Sequence, residues 1–238
     1  MTTSGVDLIE RFAKPGPALG QAAAERLPTT PAAADVKAVV RRCADLVIAL
    51  VAIAVLAPLL ITTALVVWLQ DGGPAFFGHR RIGEGGKTFR CWKFRSMVVN
   101  SQERLAEYLA ANPEAAVEWA QNHKLKDDPR ITSFGRFLRK SSVDELPQLF
   151  NVLVGEMSIV GPRPIVEAEC AKYGRYIVEY YSVRPGITGL WQVCGRNDVS
   201  YRRRVAIDVT YVRERSLLLD FKILLMTVPA ILTSKGTY

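Results

Sequence analysis

The sequence has little of what metal centres and zinc modules are made from. Its 238 residues contain only two histidines, His79 and His123. A histidine-based cluster is therefore excluded, and any metal here takes oxygen ligands. The four cysteines, Cys43, Cys91, Cys170 and Cys194, stand far apart with no pair at metal-ligand spacing. They read as free thiols in a reducing compartment. No zinc-finger spacing or RNA-binding signature accompanies the dispersed basic residues, so nucleic acid is set aside as a partner. No internal repeat is visible. Gly86-Lys87-Thr88 lacks the glycine five positions earlier that a phosphate-binding Walker loop needs. No apolar core follows Met1, so a signal peptide is not expected.

What is present is a net charge of +8 and one long apolar run. The charge calls for an anionic partner: lipid, phosphorylated substrate or nucleic acid. The length allows one sizeable domain with attachments. Residues 1–34, rich in Ala, Pro, Thr and Gly without a sustained period, read as a disordered tail. Leu46 to Leu69 is 24 residues without a charge, enough for the roughly 20 that a membrane-spanning helix requires. Both flanks are basic, with Lys37, Arg41 and Arg42 before it and His79, Arg80 and Arg81 after. A true span is expected to be asymmetric, whereas equal flanks fit a segment that enters and leaves on one side. Pro58 kinks the run, freeing the carbonyl of Ala54, with Thr62 or Thr63 available to the opened turn. These residues leave span and re-entrant hairpin both open. Arg41 and Asp45, four apart, are expected to pair.

Beyond Asp71-Gly72-Gly73-Pro74, a hairpin is expected over 75–94, with Gly83 to Gly86 as its turn. A helical pattern over 101–124 is interrupted by Pro113. Asp127-Asp128-Pro129 is turn chemistry with metal ligation as the lesser alternative. Leu149 to Ile159 is expected buried and Ile165 to Tyr181 helical. Val183-Arg184-Pro185-Gly186 reads as a type II turn. Helices follow near 199–215 and 216–234. Arg202, Arg203, Arg204 and Arg213 on the first form either a solvated basic face or a contact for anionic head groups, and the second is either core or interfacial.

The chemistry concentrates at Asp144-Glu145. Ser142-Val143-Asp144-Glu145 has the spacing of a capping box, a purely structural use. Pro147, however, belongs in the first turn of a helix, which places both acids at a helix mouth where phosphate also binds. Arg139 and Lys140 lie just upstream, and Arg163 is held between Pro162 and Pro164 in a stiff loop. A carboxylate nucleophile beside arginines that grip phosphate can split a phosphoryl transfer into two displacements. Mg²⁺ suits such a site, because one or two carboxylates plus substrate phosphates hold it.

Four stretches together resemble the bacterial sugar transferases, the monotopic polyprenol-phosphate phosphoglycosyl transferases, in order and spacing over about residues 37–238. They are Gly73-Pro74-Ala75-Phe76-Phe77 with Lys93-Phe94-Arg95-Ser96-Met97; Asp128-Pro129-Arg130 through Asp144-Glu145-Leu146-Pro147-Gln148-Leu149; Gly155 through Gly161-Pro162-Arg163-Pro164; and Arg184-Pro185-Gly186-Ile187-Thr188-Gly189 with Gln192 and Gly195-Arg196. The chain looks most like the short exopolysaccharide-initiating branch, the undecaprenyl-phosphate galactose phosphotransferases. The resemblance implies that Asp144 attacks the β-phosphate of a UDP-sugar, galactose before glucose, releasing UMP, and that undecaprenyl phosphate then takes the phosphosugar. It implies Glu145 and Asp144 as Mg²⁺ ligands, Arg139 and Arg163 on phosphate, and Lys93, Arg95, Gln148, Arg184 and Arg196 as further substrate contacts. The implied architecture is α/β, mostly helical with a small antiparallel sheet. A re-entrant helix over 35–72 bends at Pro58, and a catalytic domain over 73–238 carries interfacial C-terminal helices at the cytoplasmic face of the bacterial inner membrane. Family members often carry Ser-Pro at the bend, where this chain has Ala57-Pro58. Membrane lipids, a homo-oligomer and downstream glycosyltransferases are the implied partners. The competing readings are an ordinary glycosyltransferase, which releases UDP, and a membrane-bound scaffold whose acid pair only caps a helix.

Overall fold

Helix α1 (Pro31–Asp71) runs 41 residues, about 60 Å at 1.5 Å per residue and twice the roughly 30 Å hydrocarbon layer. The computed structural model describes residues 31–122, 125–194 and 200–232. Of the expected tail, 1–30 lie outside the described residues, and the helix starts four residues before the expected boundary. The helix is continuous through Pro58. Thr62 Oγ1 donates to the carbonyls of Pro58 (2.8 Å) and Leu59 (3.1 Å), one turn beyond the Ala54 carbonyl it was expected to serve.

One face of α1 packs on the rest of the chain along most of its length. Arg42, Asp45, Ala49, Ile53, Leu56, Leu60, Ala64, Val67 and Asp71 succeed one another at steps of three and four and all contact other elements, as a helical stripe must. Arg42 donates to the carbonyls of Val152 (2.6 Å) and Leu153 (2.9 Å), in the last turn of a helix, where carbonyls run out of i+4 partners. The expected Arg41–Asp45 pair does not form. Asp45 instead accepts from Ser158 Oγ and the Ile159 N–H, each at 2.9 Å, while Arg41 pairs with Asp220 at 2.7 Å. Buried tertiary partners outcompete the local i,i+4 pair. The opposite face, including Val47, Leu50, Val51, Val55, Ile61 and Leu69, is exposed and apolar, a larger patch than water-soluble surfaces ordinarily carry.

The expected hairpin forms from β1 (Phe76–Ile82) and β2 (Thr88–Phe94), antiparallel in register from Phe76–Phe94 to Ile82–Thr88. Gly85 and Gly86 take positive φ in its turn, the conformation glycine adopts most cheaply. Helices α2 (Ser101–Ala111) and α3 (Pro113–Asn122) divide at the expected proline. Helix α4 (Ser133–Ser141), not anticipated, is capped by Thr132, whose hydroxyl accepts from Gly135 N–H. Helix α5 (Gln148–Val154) leads to β3 (Ser158–Val160). The helix expected over 165–181 is two, α6 (Glu167–Tyr173) and α7 (Ile177–Tyr181), because Gly174 turns the chain at φ 52°.

The expected type II turn at Pro185-Gly186 is absent. Such a turn needs positive φ at the glycine, whereas Gly186 opens strand β4 (Gly186–Thr188), which pairs parallel with β3. Among the described residues the named strands therefore form one antiparallel hairpin and one parallel pair. Helices α8 (Leu190–Cys194), α9 (Tyr201–Glu214) and α10 (Leu217–Leu232) complete the described chain. Arg204 of α9 is not on a solvated face: it packs over Trp191 and Tyr201 and faces Glu169 and Asp208. Helix α10 is both core and surface, with Leu219 and Ile223 buried and Leu217, Leu218, Phe221, Leu225 and Val228 exposed.

The main core gathers Ala49 from α1, Phe89 and Cys91 from β2, Val152 from α5, Ile159 from β3, and Ile207 and Ile223 from α9 and α10. Asn151, wholly buried, locks α5 to β2: its Oδ1 accepts from Trp92 N–H, and its Nδ2 donates to the Arg90 carbonyl and to Glu156. That lock fixes the strand carrying Lys93 against the helix that follows the acid pair.

Candidate active site

Asp144 and Glu145 sit in one tight helical turn (Val143–Glu145) between α4 and α5. The chain reaches it through Ser142, the one non-glycine residue at positive φ (57°) among those described. This left-handed conformation costs about 1–2 kcal/mol for a residue with a Cβ. Ser142 ends α4, its N–H donating to Arg139 O, and its side chain caps nothing. The expected capping box does not form. Glu145 turns instead to Lys93, Oε1 to Nζ 2.6 Å.

Lys93, at the end of β2, stands between both acids, 3.9 Å from Asp144 Oδ2. Beyond it the site is two-sided. Burial pushes the Asp144 carboxyl up to about 6, Lys93 and Arg139 opposing and Glu145 reinforcing the rise. Burial also acts to raise Glu145, but Lys93, Arg163 and Arg81 overcome it and hold that carboxyl below its usual range. Arg139 thus faces Asp144, whereas Arg163 and Arg81 face Glu145. The pair consists of one acid kept ionised and one poised to titrate.

All of these side chains line an open groove of about 1420 Å³. That exceeds the roughly 300–1,000 Å³ of ordinary small-molecule sites, so two substrates of some size fit. Arg163 reaches it from the loop after β3, its guanidinium 5.9 Å from the Trp191 ring. Arg139 donates one bond, to Ser96 Oγ at 2.8 Å. Gln148, buried, lines a small recess beside Glu145.

Three expected contacts fare differently. All five N–H groups of Arg95 are taken: by Pro74 O, Met97 O, Val67 O and both oxygens of Asp71. A guanidinium has no sixth donor to offer phosphate, so Arg95 ties the end of α1 to the hairpin. Arg184 pairs at the surface with Glu84 at 3.1 Å and does not line the groove. Arg196 lies outside the described residues. Asp128 lies in a turn, as expected, and accepts from Arg130 Nε and its backbone N–H. Sequence reasoning missed Arg81, assigning it to the flank of the apolar run. The signal was strand alternation: Phe77, His79 and Arg81 share the hairpin face with their cross-strand partners Lys93, Cys91 and Phe89.

No group of three or more His, Cys, Asp or Glu side chains able to hold a metal occurs among the described residues. Two carboxylates with hard oxygen donors fit Mg²⁺ only as part of a shared site, completed by substrate phosphate and water.

Comparison with known proteins gives a consistent result. A family model described as bacterial sugar transferase matches residues 36–234. The exopolysaccharide production protein ExoY of Sinorhizobium fredii is 51% identical over 198 residues, 83% of this chain and 88% of that one. An undecaprenyl-phosphate galactose phosphotransferase of Salmonella typhimurium is 52% identical over 198 residues, 83% of this chain but 41% of its own length. A UDP-glucose:undecaprenyl-phosphate glucose-1-phosphate transferase of Caulobacter vibrioides is 40% identical over 206 residues, 83% and 72% of the two chains.

Proposed function

Because this chain belongs to the bacterial sugar transferase family and is a phosphoglycosyl transferase, we propose that it moves a sugar 1-phosphate from a UDP-sugar to undecaprenyl phosphate through a covalent Asp144 phosphosugar. The observation that carries this reading is the asymmetry of the acid pair: Glu145 is clamped by Lys93 at 2.6 Å while Asp144 stands 3.9 Å away. A nucleophile needs a carboxylate oxygen that is not fully engaged.

In the first displacement an Asp144 oxygen bonds to the β-phosphorus, and the bond from that phosphorus to the α-phosphate oxygen breaks. UMP leaves with the electron pair. In the second, an oxygen of the lipid phosphate bonds to the same phosphorus and the Asp144 carboxylate is restored. Lys93, Arg139 and Arg163 offset the charge of an anionic nucleophile meeting an anionic phosphate. Asp144 and Glu145 would hold Mg²⁺ together with phosphate oxygens, and the ion would supply further charge neutralisation there.

Galactose is the proposed sugar, with glucose second. Relatives named for galactose are 45–52% identical to this chain and those named for glucose 40%. The chain works at the cytoplasmic face of the inner membrane with α1 re-entrant. Both ends of α1 hold the same domain, through Arg41 and Arg42 at one end and Asp71 at the other. With α1 perpendicular across the bilayer, one of those two sets of contacts would lie on the far side from the domain. The test is nucleotide release by purified protein with Mg²⁺, undecaprenyl phosphate and a panel of UDP-sugars. UMP is expected with one sugar, UDP-galactose. UDP as the product would assign the chain to direct glycosyl transfer instead.

A further inference from the structure

The arginines of this chain divide by how many of their donors are already used. Arg95 has none left, Arg42 caps the end of α5, and Arg130 is bound to Asp128. Arg81 differs. Its side chain is 17% exposed, and among the described residues its one ion pair, with Glu169, is 3.9 Å long, too long for a hydrogen bond. It lines the groove with Arg163, Lys93, Asp144 and Glu145. Among the described residues Arg163 likewise has no hydrogen-bonded acceptor; it lies over the Trp191 ring and faces Glu145. Two guanidiniums with unused donors therefore converge on the Glu145 side. Burial, and then the neighbouring Arg163, disfavour the charge of Arg81. Such a pair is stabilised by an anion between them.

We infer that Arg81 and Arg163 form one phosphate subsite, and that it holds first the α-phosphate leaving as UMP and then the phosphate of the incoming lipid. The inference rests on the double displacement proposed above. In each in-line step the attacking and leaving oxygens lie on opposite sides of phosphorus. Asp144 takes one side in both steps, so the group that leaves in the first vacates the position from which the lipid phosphate attacks in the second. The recess between Arg81, Glu145 and Arg163 is about 10 Å³, room for about one water and no more. The phosphate therefore lies on the groove side of the two guanidiniums, toward Asp144.

The test uses the full chain in lipid nanodiscs, with Arg81→Gln and the charge-conserving Arg81→Lys. Binding of UMP and of uridine is measured by competition, alongside KM for the UDP-sugar and for undecaprenyl phosphate. Loss of a charge-assisted contact is worth about a tenfold to hundredfold drop in UMP affinity. Arg81→Gln is expected to show that drop with uridine binding unchanged and both KM values raised; Arg81→Lys falls between it and wild type. Unchanged UMP affinity, an equal loss for UMP and uridine, or a rise in only one KM overturns the shared subsite. If wild type releases no UMP from any donor, the proposed reaction itself fails. If wild type releases UMP and Arg81→Gln still binds it normally, only this inference does.

Discussion

Asp144→Asn is expected to abolish transfer and, at neutral pH, to make the protein more stable. Removing a nucleophile that acts in both displacements costs at least about ten-thousand-fold in turnover. The gain in stability follows from burial. Asp144 is 7% exposed, and burial raises its carboxyl from 3.8 to about 6. Between those values the folded protein holds a proton that the unfolded chain has released. Wild-type stability therefore falls as pH rises from about 4 to about 6, and the penalty stays in full above that. Asparagine never ionises and lacks the penalty. The expected difference is near zero below pH 4 and about 1–3 kcal/mol in favour of the variant above pH 6. For a domain of this size that is several degrees in Tm, at roughly 2–4 °C per kcal/mol. Thermal melts of both proteins across pH 4–8 check it. A variant less stable than wild type at pH 8 would mean that Lys93 and Arg139 need the Asp144 charge more than burial opposes it.

The second large effect is expected at Gly186. A Cβ there would lie 2.1 Å from Gly161 N and 2.4 Å from Thr188 O, both backbone atoms that cannot step aside. Gly161 and Gly189 are also closed to a side chain: Cβ atoms there would come within 2.6 Å of Arg184 O and 2.1 Å of Gly161 O, respectively. Three backbones without side chains thus interlock where β3 meets β4, and Arg163 leaves from that junction. Gly186→Ala is expected to cost about 3 kcal/mol or more and to displace the Arg163 loop. Gly85→Ala serves as the contrast. Its φ is 67° but nothing lies within 4 Å, so only the left-handed backbone penalty of about 1–2 kcal/mol applies. Denaturant unfolding of the two variants separates close approach from backbone strain. Equal costs would contradict the interlock.

Much of the site was legible because its residues lie in short, chemically dense stretches. Asp144, Glu145, Arg163 and Lys93 come together as expected. The hairpin was readable from Gly83 to Gly86 and the alternation around it, and the break between α2 and α3 from Pro113. Misreadings arose where a local signal met a stronger distant partner. Ser142 has N-cap spacing, yet the reversal after α4 takes it to φ 57°, and Lys93 claims Glu145. Asp45 suits Arg41 on a helix but is buried against Ser158. Arg95 stands two residues after Lys93, and from sequence both read as serving the site. Strand β2 ends at Phe94, and beyond it Arg95 turns back to Asp71. Gly186 carries turn composition, and its actual reason for being glycine, the approach of Gly161, involves a segment 25 positions away. Arg81 was hidden by its place beside the apolar run, where any cation reads as a flank.

The central claim is that the sugar phosphate rests covalently on Asp144 between donor and acceptor. Its most direct test is the intact mass of the protein after incubation with Mg²⁺ and the UDP-sugar, with undecaprenyl phosphate withheld. The account predicts a mass gain of one hexose phosphate on wild type, located by fragmentation at Asp144, lost on adding the lipid, and absent from Asp144→Asn. Turnover to lipid product without any such adduct, or with an adduct on another residue, would contradict it.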